Sequence, residues 1–415
     1  MNYKVQATIY SGVIKIPSSK SDTQRALLAA ALSNGISTLK NVGTSSDELA
    51  MLQAIQDLGA KIIDKIHDSI LIQGFDSVSE NCEINIGESG LASRLLIAVC
   101  SAFDNAIKIL GKGSLLTRPM TFYDEILPKL NVQITSNNGC VPISVKGPIQ
   151  ASEIEIDGSL SSQFLSGLLM ALPLANGKSL IHVKDLKSSP YIEMTLNTLS
   201  KFGIQIENKD FKNFIIQGSQ SYKPTSYTIE SDWSSASYWL VASALGQDIE
   251  IQGLSKDSLQ ADKAILKAFE KANCEISWEN DLLKIGGKQR KAFEFDATDC
   301  PDLFPALASF AALTDGISKI KGVHRLKHKE SDRAKSIQEE FQKLGVEVTF
   351  QDDFMLIKGK NAINGGNVFA HHDHRIAMCL AILGMFSKTR IEIENAESVS
   401  KSYPNFWKDL ESLSF

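Results

Sequence analysis

Six of the eight arginines in this 415-residue chain, Arg25, Arg94, Arg118, Arg325, Arg333 and Arg375, stand in or beside short clusters of small and polar residues. Lys20, Lys327, Lys329 and Lys401 join them. Arginine is the better fork for two-point contact with phosphate or carboxylate. Because 35 of the 43 basic residues are lysine, the placement of the few arginines is informative. It points to a small molecule, or a pair of them, carrying more than one phosphate or carboxylate. Hydroxyls accompany the cations in SSKS (18–21), SSQ (161–163) and SSP (188–190). A serine at a helix start ordinarily caps it, but a serine pair followed by glutamine also suits a polyhydroxylated anion. Candidate proton carriers are Lys20, Asp302 in CPDLFPALA and Glu330 in KHKESDR, each with charged neighbours able to shift a pKa. The stretch HHDHRIAM at 371–378 places three histidines and an aspartate within four positions, residue types that also occur in metal sites. There is no GxSxG, no Walker loop and no HExxH.

The elements that must position these groups recur with a period. A small or polar cluster leading into an apolar Ala/Leu-rich helix begins at 18, 87, 159, 231, 299 and 371, in steps of 69, 72, 72, 68 and 72. A second, amphipathic helix begins near 46, 118, 189, 258, 330 and 402, in steps of 72, 71, 69, 72 and 72. Two independent markers with one period predict six structural repeats. Each reads as strand, buried helix, strand, amphipathic helix and two strands, the closing pair showing alternation as in VEVTFQDDFMLIKG. The sixth repeat stops after its second helix, while the N-terminus offers an unmatched pair, KVQATIY and GVIKIP. These strands are expected to return and complete the last repeat. One domain is then continuous, 17–228, and the other discontinuous, 1–16 with 229–415, with the active site expected in the cleft between them and closure on ligand binding. In this frame every polar cluster falls at a helix N-terminus, where free N–H groups and the helix dipole favour anions. The histidine cluster is the sixth of them, so its period-matched member is Arg375 rather than a metal ligand.

Composition narrows the class. At 43% hydrophobic and 22% charged residues the chain reads as globular, with no apolar run of membrane-spanning length. The N-terminus alternates like a strand and lacks the apolar core of a secretory signal. Six scattered cysteines without paired spacing read as reduced thiols, so a cytoplasmic location is expected. A net charge of −5 and 7% aromatic residues argue against nucleic-acid binding.

At these clusters the chain resembles the EPSP synthase family, the 3-phosphoshikimate 1-carboxyvinyltransferases. The resemblance spans nearly the full length and is carried by PSSKSDTQRALLAAAL, GESGLASR, GSLLTRPM, GSLSSQFLSGLLM, SSPYIEMT, SDWSSASYWL, PDLFPALA, KHKESDR, DHRIAM and KSYPNFW. It implies a two-domain inside-out α/β barrel of six βαβαββ repeats, three per domain, working as a monomer without metal or organic cofactor. The implied reaction joins the 5-hydroxyl of shikimate 3-phosphate to C2 of phosphoenolpyruvate through a tetrahedral intermediate, then expels phosphate. Shikimate 3-phosphate would be held by Lys20, Ser21, Arg25, Ser161, Ser162, Gln163, Ser188, Asp302 and Lys329. Phosphoenolpyruvate would be held by Lys20, Gly90, Arg118, Gln163, Arg333, Arg375 and Lys401. Proton transfers would fall to Lys20, Asp302 and Glu330.

Three sites depart from the family pattern, the glycine loop at two of its positions. The glycine loop, usually Gly-Asn-x-Gly-Thr, reads Gly87-Glu88-Ser89-Gly90-Leu91, and an extra carboxylate there is expected to weaken phosphoenolpyruvate unless a cation pairs with Glu88. Gln24 and Arg325 each stand where asparagine is usual. In the family form Asp-His-Arg, His374 is expected to line the pocket and Asp373 to cap the helix or orient Arg375. The sister carboxyvinyltransferase acting on UDP-N-acetylglucosamine shares the architecture but carries a reactive cysteine five residues before an Arg-Pro pair. Gly113 holds that position before Arg118 and Pro119. A non-catalytic anion-binding repeat protein is the remaining alternative.

Overall fold

The hydroxyl of Ser19 accepts from the Asp22 N–H at 3.4 Å, supplying one of the bonds that a helix N-terminus lacks. Behind it the Ala/Leu run sustains helix α1 (Lys20–Ala31). In the computed structural model, which describes residues 1–414 other than His67, Asp76 and Lys288, this arrangement recurs along the chain. After α1 come α2 (Ser46–Asp57), α3 (Gly90–Cys100), α4 (Thr121–Ile126), α5 (Ser162–Ala171) and α6 (Ser189–Lys201). Then follow α7 (Trp233–Ala244), α8 (Ile265–Lys271), α9 (Phe304–Ala312), α10 (Arg333–Lys343), α11 (His374–Gly384) and α12 (Phe406–Leu413). The odd-numbered helices are the apolar ones; α3, α9 and α11 are buried along their whole length. Ser89, Ser161, Asp232 and Asp373 cap four of them with side-chain oxygens. α4 is cut short because Pro128 has no N–H to continue it, and the chain proceeds as a 3₁₀ turn, Leu127–Leu130. Among the described residues no helix is long and apolar enough to cross a membrane.

The chain divides into two compact units, Ser18–Glu230 and Met1–Pro17 with Ser231–Phe415. In the first, three four-stranded sheets share one topology. Cys82–Asn85 and Ile107–Leu110 pair in parallel, linked through α3. Cys140–Lys146 pairs antiparallel with Ile107–Leu110, and Gln133–Asn137 lies antiparallel beyond it. Glu153–Asp157, Lys178–Lys184, Asn213–Gln217 and Ile206–Lys209 repeat that order. A parallel pair needs a helical crossover and an antiparallel pair only a tight turn, which is the alternation visible in the sequence. Strands such as Glu153–Asp157 bury alternate residues, so one sheet face packs on a core that includes α3 and α5. The second unit repeats the plan with α7, α9 and α11 in its core and two four-stranded sheets.

The N-terminal strands correct the expectation. Asn2–Val5 does join the sixth sheet, antiparallel to Ile391–Glu394, which also pairs with Gly366–Phe369. Ser11–Lys15 does not; it pairs in parallel with Asp248–Gln252 of the fourth repeat. The place it leaves beside Ile36–Lys40 is filled by Ser226–Thr228. Ile36–Lys40 and Asp248–Gln252 present equivalent open parallel edges, and each is closed by a strand of its own unit. Periodicity marks both edges but not which strand fills which.

Candidate active site

Within Met1–Pro17 and Ser231–Phe415, Asp302 gathers three cations. Its carboxylate lies 2.7 Å from Arg333 Nη1, 3.2 Å from Arg375 Nη2 and 3.3 Å from Lys329 Nζ. These groups converge because Asp302 sits in the turn before α9, Arg333 begins α10 and Arg375 lies in the first turn of α11. Burial pushes the Asp302 carboxyl up, but the charges of Arg375, Lys329 and Arg333 outweigh it and hold the group well below the usual carboxylate range. The same burial lowers Lys329, opposed by Asp302. Glu330 Oε2 accepts from Arg333 Nη2 at 2.7 Å. Thus Asp302, Lys329, Glu330, Arg333 and Arg375 are brought together as one charged network.

Asp373 organises the network from beneath. It caps α11 through the Arg375 N–H at 2.9 Å and accepts from Arg333 Nε at 2.8 Å and Ser331 Oγ at 3.1 Å. It therefore both caps the helix and orients an arginine. The three histidines do not converge. His371 Nε2 meets Glu340 Oε1 at 2.7 Å, His372 is exposed, and His374 is fully buried. His371 and His372 both have left-handed backbones, φ 52° and 54°, and both rings pack T-shaped against Phe369, with centroids 5.1 and 5.5 Å away. His371, Glu339 and Glu340 have ligand atoms within 4.8 Å of one another. However, both Glu340 oxygens already accept from Lys343, and the Phe369 N–H also donates to it. Lys401 Nζ donates to the His372 carbonyl at 3.1 Å.

In Ser18–Glu230, Lys20 begins α1 and its ammonium meets Asp47 Oδ2, in the first turn of α2, at 2.9 Å. Arg25, one turn further on, is wholly buried. Its Nε donates to Thr195 Oγ1 at 2.8 Å and its Nη1 to the Ser21 carbonyl at 2.8 Å. Burial lowers it to about 10, so it stays charged at neutral pH. Its neighbour Asp22 is raised to about 6 by burial, against hydrogen bonds from Tyr227 and the Glu230 N–H. Ser161 caps α5 through the Gln163 N–H at 3.3 Å, beside the buried Ser162. Ser188, at the start of α6, holds φ 58° and ψ 43°, an uncommon conformation for a serine and of the kind found at functional sites. Arg118 lies against Gly90: a Cβ on Gly90 would stand 2.4 Å from Nη1. Arg94 Nη1 donates to the Gly90 carbonyl at 2.7 Å and its guanidinium covers Phe164 at 5.1 Å. Ser89 Oγ donates to Gln24 Oε1 at 2.8 Å.

Sequence reasoning missed Asp47, Asp262, Thr195 and Ser166. Asp262 is buried, accepts from Ser234 Oγ and is raised to about 7, by burial and then by Asp302. Its signal was present in SLQAD, an acid in a segment otherwise read only as an amphipathic helix. Ser166 and Thr195 lie on helix interiors within GSLSSQFLSGLLM and SSPYIEMT, stretches from which only the serines and glutamine at the helix starts are singled out.

Cations and hydroxyls gathered at the starts of buried helices in an α/β chain define a protein suited to holding small anions. The fold matches the solved EPSP synthase of Acinetobacter baumannii with a TM-score of 0.84, covering 100% of this chain and 98% of that one at 24% identity. The model of the family described as EPSP synthase (3-phosphoshikimate 1-carboxyvinyltransferase) matches residues 6–410, and the chain belongs to that family. The 3-phosphoshikimate 1-carboxyvinyltransferase of Clostridium kluyveri is 37% identical over 411 residues, 99% of this chain and 96% of the relative. That of Clostridium acetobutylicum is 39% identical over 415 residues, with the same shares.

Proposed function

We propose that this chain transfers the carboxyvinyl group of phosphoenolpyruvate to the 5-hydroxyl of shikimate 3-phosphate, releasing phosphate; its relatives are named 3-phosphoshikimate 1-carboxyvinyltransferases. The carrying observation is the Asp302 network, an ionised carboxylate surrounded by three cations in a chain whose family performs that transfer. The addition step forms the bond from the 5-oxygen to C2, moves the hydroxyl proton to a base and adds a proton at C3. The elimination step breaks C2–O of the phosphate and removes a proton from C3. Asp302 is assigned to the hydroxyl proton, because it is ionised and gains basicity when substrate anions draw its cations away. Lys20, kept near Asp47, is assigned to protonate C3, and Glu330 to accept the proton returned on elimination.

Lys20, Ser21, Ser161, Ser162, Gln163, Ser188, Asp302 and Lys329 are assigned to shikimate 3-phosphate. Arg25 joins them by exchanging one of its present partners. Gly90, Arg118, Arg333, Arg375 and Lys401, with Lys20 and Gln163 shared between the two substrates, are assigned to phosphoenolpyruvate. Each unit is taken as a domain of the inside-out barrel, with buried helices and sheets outside. Fully buried α3 and α11, beside sheets with one exposed face, support that arrangement. The protein is taken to act as a monomer with no metal or organic cofactor. The test is phosphate release on mixing the purified protein with both substrates, UDP-N-acetylglucosamine serving as the control acceptor. With phosphoenolpyruvate present, release is expected when shikimate 3-phosphate is the acceptor and not when the control is; the absence of the first, or the presence of the second, overturns the reading.

A further inference from the structure

Glu88 adds a carboxylate to a loop expected to face an anion, yet that carboxylate is bound to the neighbouring loop. Its Oε2 accepts from the Ser114 N–H at 3.0 Å and from the Ser114 hydroxyl at 2.9 Å. Ser114 lies in the first turn of the 3₁₀ turn Gly113–Thr117, where backbone N–H groups lack partners inside the turn. Glu88 therefore caps that turn from outside, with a charge-assisted bond. The space for it exists because residue 113 is glycine. A Cβ there would stand 2.3 Å from Glu88 Cδ, and φ at Gly113 is +56°, a conformation open to glycine. Two backbone bonds hold the loops in register, Ile86 N–H to the Leu110 carbonyl at 3.0 Å and Lys112 N–H to the Gly87 carbonyl at 2.8 Å.

The capped turn ends on Arg118, whose N–H donates to the carbonyl of the fully buried Leu115 at 3.2 Å. From that fixed point the Arg118 side chain returns to cover Gly90, two residues beyond Glu88. The contacts form a closed circuit from Glu88 to Ser114, along the turn to Arg118, and back to the loop through Gly90. We infer that Glu88 is a positioning residue for Arg118, fixing the start of the turn whose end aims the guanidinium at phosphoenolpyruvate. The inference rests on the proposed reaction for the ligand that Arg118 holds. It also replaces the expectation that the extra carboxylate weakens that ligand, since the charge is used to cap a turn.

The test compares wild type with Glu88→Ala, Glu88→Gln and Ser114→Ala. KM is measured for each substrate, and amide hydrogen exchange is followed over 113–118. Glu88→Ala is expected to raise KM for phosphoenolpyruvate about tenfold, as loss of a charged hydrogen-bond partner implies, with KM for shikimate 3-phosphate within about twofold of wild type. Glu88→Gln, which still offers an oxygen to both Ser114 donors, is expected to restore KM to within about threefold. Ser114→Ala keeps the backbone bond and should give a smaller rise than Glu88→Ala. The Ser114 amide should exchange faster in Glu88→Ala than in wild type. An unchanged KM for phosphoenolpyruvate, an equal rise for both substrates, or unaltered exchange in Glu88→Ala overturns the inference. If wild type releases no phosphate, the proposed reaction fails, and exchange over 113–118 alone decides the part played by Glu88.

Discussion

Replacing Gly90 with alanine places one methyl group against the guanidinium of Arg118. The added Cβ would stand 2.4 Å from Nη1, 2.6 Å from Cζ and 2.7 Å from Nη2. Non-bonded heavy atoms settle at about 3.5–4.0 Å, so the guanidinium must withdraw by about 1 Å. The backbone tolerates the change, because Gly90 is not among the residues with positive φ. Alanine is also the better helix former, by up to about 1 kcal/mol in a helix interior. Stability and binding should therefore separate. A shift of about 1 Å in a group that positions substrate can cost on the order of 100-fold, so KM for phosphoenolpyruvate should rise roughly 10- to 100-fold. KM for shikimate 3-phosphate should stay close to wild type. The assay is phosphate release with each substrate varied at saturating levels of the other, alongside a thermal unfolding curve. An unchanged KM for phosphoenolpyruvate, with unfolding as in wild type, refutes the steric reasoning.

Arg118→Ala and Arg375→Ala should each weaken phosphoenolpyruvate far more than shikimate 3-phosphate in the same assay; equal losses would mean that both arginines are misassigned. Asp373→Ala leaves the fully buried Arg333 without its partner from α11, and removes a helix cap. It should cost about 3 kcal/mol in urea unfolding, with Asp302 and Glu330 left to compensate in part. A loss below about 1 kcal/mol would show that those two suffice. Asp22, raised to about 6 by burial, keeps its proton to higher pH than an unfolded aspartate near 3.9. Its stabilising contribution is present in full below about pH 4 and is lost as pH rises through 6, on the order of 3 kcal/mol. Asp22→Asn lacks that titration and should gain on wild type between about pH 4 and 7; urea curves that keep a constant separation across this range would count against it.

Much of this molecule is local and therefore legible in the chain. The recurring Ser- or Asp-capped Ala/Leu helices follow from backbone groups within one turn, and so does the placing of Arg25, Arg94, Arg333 and Arg375 in the first two turns of their helices. The family motifs lie in the same short stretches. What the period leaves open is any choice between equivalent partners. Ser11–Lys15 and Ser226–Thr228 both suit a parallel edge, and only the division into units assigns them. Glu88 reads as a charge beside an anion, whereas its carboxylate is bound at Ser114, 26 residues away. Lys20 and Asp47 are 27 residues apart and form one ion pair. Asp302 was legible as a proton carrier, but its three cations, which hold its proton affinity down, come from the stretch before α10 and the starts of α10 and α11. The sequence by itself determined the repeats, the helix starts and the stock of charged groups, because these depend on short-range spacing. Tertiary structure decided which charges meet, and with them the lowered proton affinity of Asp302 and of Lys329, because electrostatic interaction depends on distances through space that a linear spacing does not contain.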